Sequence, residues 1–400
     1  MGAVGIVPLK KRGTLKNKAL IVRWKKKGIK TMGIPEKGRV AILTDIRKIE
    51  VKEFALPPLG DDEILLKVEG CGVCGTDAHE YKGDPFGLRP VVLGHEGTGE
   101  IIALGKNVTH DFVGKPVAVG DKLVTCIIPC GKCPACQTLP ARTNLCDSIG
   151  IYGLISDDAY HFNGYFGDYV VVRKGSTFFN VSDLDLDARL LIEPFSVAIH
   201  ALERAKTTGL LRFDTTVLIQ GCGPIGLCVL SVVRAMGVEK IIAVDSMAKR
   251  LAVAKELGAS HLININDYKT PEEEIAAVKA VSDGLGAEFA FQCTGVPAAA
   301  ALMWRLVRRG GGLCEVGFFV NNGDCTINPH LDLCNKEVSA VGSWVYTPEE
   351  YPITFAFLKR AKGIGLPVTK LITHRFPLDQ MNEAMETNIR MDGIKVCFVA

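Results

Sequence analysis

The sequence predicts an α/β protein in which a β-rich, barrel-like domain precedes a doubly wound parallel sheet. Three observations carry that expectation. From about residue 215 to residue 344, β-branched runs alternate regularly with helical stretches. Up to about residue 194, short strands separated by Gly, Pro and Asp dominate. Near the start of the alternating half, a glycine turn, Gly221-Cys-Gly223-Pro-Ile-Gly226, links a strand to a helix. A chain of 400 residues with 48% apolar content is ample for packed cores and, at roughly 150 residues each, for about two to three domains.

In the first half, strands are expected at 39–43, 49–56, 63–68, 91–94, 99–104, 121–128 and 167–172, each an apolar or β-branched run bounded by turn residues. The alternating half opens with a strand at 215–220 and a helix at 227–236, and a second strand follows at 241–245. Helices at 248–257, 271–282 and 297–309 then alternate with strands at 261–266, 287–293, 312–317 and 338–344. Beyond about residue 341 the character is mixed, with a helix expected at 352–362 and a return onto the first domain. The expected organisation is thus a basic extension at 1–37, a β-rich domain at 38–194, a nucleotide-binding domain at 195–340 and a C-terminal return at 341–400.

Charge is distributed unevenly. The net charge is +3, yet the first 30 residues hold ten Lys and Arg and no acid, which leaves −7 for the rest of the chain. The tail reads as a solvated extension; docking on an anionic surface is the alternative, and Met32 is an alternative start that would leave the tail without function. The tail lacks the apolar core of a secretory signal and has too little Ser and Arg for a transit peptide. No apolar run approaches the roughly 20 residues needed to cross a bilayer. Neither a membrane nor a nucleic acid is an expected partner.

Fourteen cysteines carry the first functional pattern. Cys130-Gly-Lys-Cys133-Pro-Ala-Cys136, closed by Cys146, is spaced so that one tetrahedral metal could take all four thiols, and it reads as a structural zinc site. The rival is a pair of disulfides. The other ten cysteines are scattered, several in apolar runs (Cys222, Cys228, Cys293, Cys314, Cys397), where a reduced thiol packs as a small hydrophobe. A reducing, cytoplasmic setting follows as the expectation.

The glycine turn carries the second. It follows a strand, opens a helix and is answered by Asp245, which lies 24 residues after Gly221 at the end of the second strand. Gly221, Gly223 and Gly226 let the backbone approach a pyrophosphate at the helix N-terminus, where free N–H groups and the dipole favour negative charge. Asp245 would accept from the adenosine ribose hydroxyls and repel a 2′-phosphate, which favours NAD over NADP; Arg250 nearby could flank the adenine or take a phosphate. Pro224, Ile225, Thr294 and Gly317 complete the candidate cofactor-binding set.

A third group is ambiguous by itself: Cys71-Gly-Val-Cys74-Gly-Thr76-Asp77-Ala-His79, then Leu93-Gly-His95-Glu96-Gly97, then Glu193-Pro-Phe-Ser at the domain junction. A lone His or Glu is more often structural than a ligand. With the nucleotide turn and the four-cysteine loop, however, the ordered motifs CGTDAH, GHEGTG, EPFSVAIHA and GCGPIG resemble those of medium-chain, zinc-dependent alcohol and polyol dehydrogenases over about residues 38–400. The resemblance implies a GroES-like catalytic domain and a Rossmann domain enclosing a catalytic zinc, hence two zinc ions per chain, and a homodimer or homotetramer.

It also implies roles for individual residues. Cys74 and His95 stand as catalytic zinc ligands, and Glu96 and Glu193 stand where carboxylate ligands of various members lie. An open zinc site lowers the pKa of a substrate hydroxyl so that hydride can pass to nicotinamide. Thr76 would receive the alcohol proton, and His79, matching the relay histidine, would pass it on. Asp77 fits a role orienting a zinc-bound imidazole, and Cys71 a buried thiol.

A carboxylate where many simple-alcohol members have cysteine points to a substrate with vicinal oxygens: a polyol, sugar alcohol or other secondary alcohol, or the corresponding ketone. There are departures. Sorbitol dehydrogenases often lack the four-cysteine loop kept here, whereas threonine dehydrogenases keep it and share CGTD, so an amino-alcohol substrate stays open. The last loop spacer is nine residues, 137–145, longer than usual, with Cys126 as a fallback ligand. The remaining alternatives are an NADP-preferring reductase and a non-enzymatic nucleotide-binding protein on the same fold.

Overall fold

The computed structural model describes residues 30–31 and 33–400. Of the basic extension, residues 1–29 and 32 lie outside the described residues.

The alternating half folds into a six-stranded sheet with every pairing parallel. Across the sheet the strands run His261–Asn264, Ile241–Asp245, Val217–Gln220, Ala287–Gln292, Val307–Glu315 and Ser339–Gly342, the order 3-2-1-4-5-6 in chain sequence. Val217–Gln220 and Ile241–Asp245 are buried at every position, so they read as continuous apolar runs rather than alternating ones. Strand order reverses between Val217–Gln220 and Ala287–Gln292, and a crevice opens beyond their carboxyl ends, the usual ligand position of a Rossmann sheet.

The other half is a GroES-like, mainly antiparallel assembly. Its spine is Ile64–Val73, which pairs with Glu96–Leu104, Tyr169–Val172 and the last strand, Lys395–Val399. Lys122–Thr125 and Phe178–Asn180 extend the sheet, and a smaller one joins Lys37–Asp45 to Lys48–Ala55 and Val91–Val92. The chain end is zipped in register, Val396 opposite Val73 and Phe398 opposite Cys71, so the C-terminal segment belongs to this sheet.

Helix Ile192–Lys206 bridges the halves. Phe195, Ile199 and Leu202 recur on one face and pack with Leu227 and Val232 of helix Pro224–Ala235 and with Phe357 of helix Glu350–Gly363. Each such buried side chain contributes about 2–3 kcal/mol of apolar transfer. The helix therefore begins, at Glu193, from a heavily anchored position.

Several elements depart from expectation for identifiable reasons. The strand expected at 63–68 continues to Val73, because Gly70 and Gly72 serve close approach rather than a loop; a Cβ on Gly72 would sit 1.9 Å from Glu96 Oε2. The helix expected from 227 starts at Pro224, since proline suits the first turn, where its missing N–H has no partner to lose. The helix expected to 309 ends at Leu306, where Val307 turns extended and begins a strand that carries the glycine run to Glu315. Asn264 ends its strand, and Ile265–Asp267 forms a 3-10 turn. Phe178–Asn180, too short for a period-two pattern, was not foreseen.

Candidate active site

Cys74 follows the spine strand and caps helix Gly75–Gly83. Asp77, fully buried in that helix, accepts from the Cys74 backbone N–H at 2.8 Å and the Gly94 N–H at 3.2 Å, and its Oδ1 lies 3.4 Å from His95 Nδ1. One carboxylate thus ties together the two short loops bearing Cys74 and His95. Cys74, His95 and Glu96 each place a ligand atom within 4.8 Å of the others. That spacing fits a common metal at the roughly 2.0–2.3 Å of zinc bonds to N, O and S.

Glu193 comes from the first turn of helix Ile192–Lys206 and lines the same cavity, outside that triplet. Burial, then the Glu96 charge, pushes its carboxyl up to about 7, against the opposing influence of His95, Lys395 and Tyr346. The sequence reading missed Lys395. It stands at the start of the last strand, 2% exposed, with Nζ 2.7 and 2.6 Å from the two Glu96 oxygens. Its signal was a lone charge opening an apolar terminal strand, which reads equally as an edge residue.

The cavity, about 510 Å3, is lined by Cys74, Thr76, His95, Glu96, Glu193 and Lys395 on the barrel side. Gly223, Pro224, Ile225 and Gly317 line it on the sheet side. Phe86, Phe319, Trp344 and Val345 supply apolar walls. Thr76 Oγ1 is 3.6 Å from Cys74 Sγ. His79 does not line the cavity; its half-buried ring meets Phe319 edge-on at 5.4 Å, and burial and then Lys82 lower its pKa.

Gly221 has φ +91, and a Cβ on Gly226 would fall 1.8 Å from the Gly221 carbonyl oxygen, so this turn requires glycine at both positions. Gly223 caps helix Pro224–Ala235, and its missing Cβ faces open space bordered by Arg250 Nη1 at 3.9 Å. That is the cradle a pyrophosphate needs. Asp245 accepts from the Cys222 and Met247 backbone N–H groups, both at 2.7 Å, one on each carboxylate oxygen, which still leaves lone pairs for ribose hydroxyls. Thr294 Oγ1 accepts from Gln292 Nε2 at 2.9 Å, and a Cβ on Gly317 would collide with the Thr294 carbonyl. Thr294 and Gly317 thus shape the far side of the crevice.

Cys130, Cys133, Cys136 and Cys146 form a separate lobe, with all four sulfurs within 4.8 Å of one another. Tetrahedral zinc with bonds of about 2.3 Å would set sulfurs about 3.8 Å apart; Cys133 and Cys146 are at 3.9 Å. All fourteen cysteines are free, so the disulfide alternative does not hold. Backbone N–H groups of Cys130, Cys133, Cys136 and Ser148 point at these sulfurs. Such donors, led by those of Lys132 and Cys133, pull the Cys130 thiol down to about 6. The long spacer begins in the short helix Pro134–Thr138 and ends in the turn Thr143–Leu145. Cys126 is buried, with Tyr351 and the Glu193 charge among its neighbours, and is not one of the four clustered sulfurs.

Residues 60–183 match the alcohol dehydrogenase GroES-like domain, and residues 224–360 match the zinc-binding dehydrogenase family. A sorbitol dehydrogenase of Bacillus subtilis is 34% identical over 360 residues, 89% of this chain and 95% of that protein. An L-idonate 5-dehydrogenase of Vitis vinifera is 31% identical over 371 residues, covering 91% and 95%. The chain belongs to the medium-chain, zinc-dependent alcohol and polyol dehydrogenases. The crystal structure of an alcohol dehydrogenase from Thermotoga maritima superposes with a TM-score of 0.83 at 28% identity, over 91% of this chain and 99% of that one. As a zinc-dependent dehydrogenase of this family, the protein is an oxidoreductase working on a small-molecule alcohol with zinc and a nicotinamide cofactor. No described helix is long and apolar enough to cross a membrane.

Proposed function

We propose that this dehydrogenase interconverts a polyol, sugar alcohol or related secondary alcohol and its ketone, with NAD as the cofactor. The observation that carries the reading is the pair of carboxylates in the cavity: Glu96 clusters with Cys74 and His95, and Glu193 lines the same space, which the glycine cradle also borders. The names of the relatives, a sorbitol and an L-idonate dehydrogenase, agree with it.

Cys74, His95 and Glu193 would hold the catalytic zinc. His95 Nδ1 lies 3.4 Å from Asp77 Oδ1, so a pairing there on metal binding would leave Nε2 for the metal. Glu96 has both oxygens committed to Lys395, which makes it the less available carboxylate. Among the described residues Glu193 makes no ion pair, and a bound cation would offset its burial. The zinc, when bound, supplies the Lewis acidity that lowers the pKa of a substrate hydroxyl. Thr76, beside Cys74, accepts the hydroxyl proton, and His79 passes it towards solvent. A hard, oxygen-rich floor holds vicinal hydroxyls better than a thiolate-only one, while the apolar walls exclude water from the transfer. Cys130, Cys133, Cys136 and Cys146 would hold the structural zinc.

Asp245 carries the cofactor preference, because a 2′-phosphate placed at its carboxylate meets like charge. The test is initial-rate reduction of NAD and of NADP with a panel of polyols, simple secondary alcohols and L-threonine. Turnover with a polyol and NAD, favoured over NADP by about tenfold or more, is expected. A preference for L-threonine would overturn the substrate class, and a preference for NADP the cofactor.

A further inference from the structure

The four-cysteine lobe and the substrate cavity are joined by a buried polar chain with no part in the chemistry above. Asn144 lies in the turn just before Cys146 and is 1% exposed. Its Nδ2 donates to the Trp344 carbonyl at 2.8 Å and lies 3.4 Å from His200 Nε2. His200 is 3% exposed on the bridging helix, and its Nδ1 lies 2.6 Å from Glu350 Oε1. The other Glu350 oxygen accepts from the Thr347 backbone N–H at 2.7 Å. The His200 tautomer that donates from Nδ1 and accepts at Nε2 matches both of its contacts in the chain.

What the chain grips is the wall residues 343–347. Ser343, Trp344 and Val345 line the cavity, and Val345 has φ +55. A β-branched residue in the left-handed region is strained, and such strain persists only where the surroundings over-determine it. Here the determinants are visible on both sides. Trp344 is held through its carbonyl by Asn144, Tyr346 is 2% exposed, and Thr347 is held by Glu350. The turn also leaves the Ser343 hydroxyl buried at the cavity wall with no partner among the described residues. An unpaired hydroxyl in a substrate pocket is a ready contact for a hydroxyl of the substrate. Asn144 leaves its own Oδ1 unpaired as well, which an apolar side chain would avoid, so its two donor contacts are what the position gains.

We propose that Asn144 is a positioning residue for the substrate pocket: by holding the Trp344 carbonyl it fixes the left-handed turn at Val345 and makes the four-cysteine lobe a support of the specificity wall. The proposal rests on the reading of this cavity as the polyol site. It predicts an effect on substrate recognition without one on cofactor binding, because no residue of the glycine cradle is in the chain.

The test compares Asn144→Ala and Asn144→Asp with the wild type in three readouts: amide hydrogen exchange of residues 343–347, KM and kcat over the polyol panel, and the Kd for NADH. Zinc content and Tm serve as checks on folding. Expected are faster exchange at 345–347, a KM raised about tenfold with kcat changed less than about threefold, and an unchanged NADH Kd. Asn144→Asp, which keeps the shape but turns an acceptor towards the Trp344 carbonyl, should exceed Asn144→Ala in both exchange and KM. Val345→Gly added to Asn144→Ala, by removing the strain, should recover part of the KM. Unchanged exchange at 345–347, or an Asn144→Asp variant like the wild type, would overturn the clamp. A lowered Tm with KM unchanged would reduce Asn144 to a structural role and overturn it equally. If the wild type turns over no polyol while exchange responds as expected, the clamp stands and the polyol reading is what fails.

Discussion

The two donor clusters of this enzyme are built in opposite ways. The lobe draws four thiols from one stretch, 130–146, and its own backbone N–H groups orient the sulfurs. The cavity cluster draws Cys74 from the end of one strand, His95 and Glu96 from the start of another, Glu193 from the bridging helix and Lys395 from the last strand. A local site forms whenever its loop closes. A dispersed one needs several distant elements in place together, so there metal binding, stability and chemistry would be coupled.

The largest effect should therefore come from the dispersed cluster. Cys74→Ser is expected to lower kcat/KM by about 10^4-fold, roughly 5 kcal/mol of transition-state stabilisation. Zinc content measured by elemental analysis should fall from two per chain to one while the lobe keeps its metal. Retained activity at one zinc per chain would mean that the lobe, not the cavity, is the reactive centre.

Lys395 tests how the dispersed site is held. Its ammonium and the Glu96 carboxylate are both almost fully buried, 3% and 1% exposed, so removing one partner strands a charge. Lys395→Met should cost about 4 kcal/mol in denaturant unfolding, and Glu96→Gln added to it should restore most of that loss. Additive losses would show that the two groups do not act as a pair. Cys146→Ser probes the local site and should act on stability first. Loss of the lobe metal is expected to cost about 3 kcal/mol, roughly 3–5 °C in Tm for a chain of 400 residues, with kcat within about tenfold of the wild type. Because Asn144 is two residues away, KM should move more than kcat.

This contrast also explains what the sequence disclosed. Thiols supplied by one loop leave a spacing, and the clustering of Cys130, Cys133, Cys136 and Cys146 could be read from it alone. The parallel sheet was legible for a similar reason: each βαβ unit is local, and the glycine turn sits beside the strand it follows. The pairing of Val396 with Val73 has no local trace, since it joins segments more than three hundred residues apart. With it went Lys395 and the closing strand. Asn144 was invisible too, because an asparagine before a cysteine looks like any turn residue until Trp344 is folded against it. Element ends were misplaced where proline and glycine served the structure positively, at the helix start Pro224 and in the strand at Gly72, rather than as breakers.

Cys126 gives the smallest effect and the sharpest test of the boundary between the clusters. By sequence it was a spare ligand for the lobe, only four residues from Cys130. In the fold its thiol is 3% exposed, pushed well up by burial, and set beside Tyr351 with Glu193 among its charged neighbours. It therefore belongs to the packing beneath the cavity. Cys126→Ala should cost about 1 kcal/mol, the loss of one small buried group, with two zinc ions per chain retained and KM unchanged. A zinc loss in this variant would mean that the lobe borrows from outside its own loop, and the division between a local and a dispersed site would no longer describe the molecule.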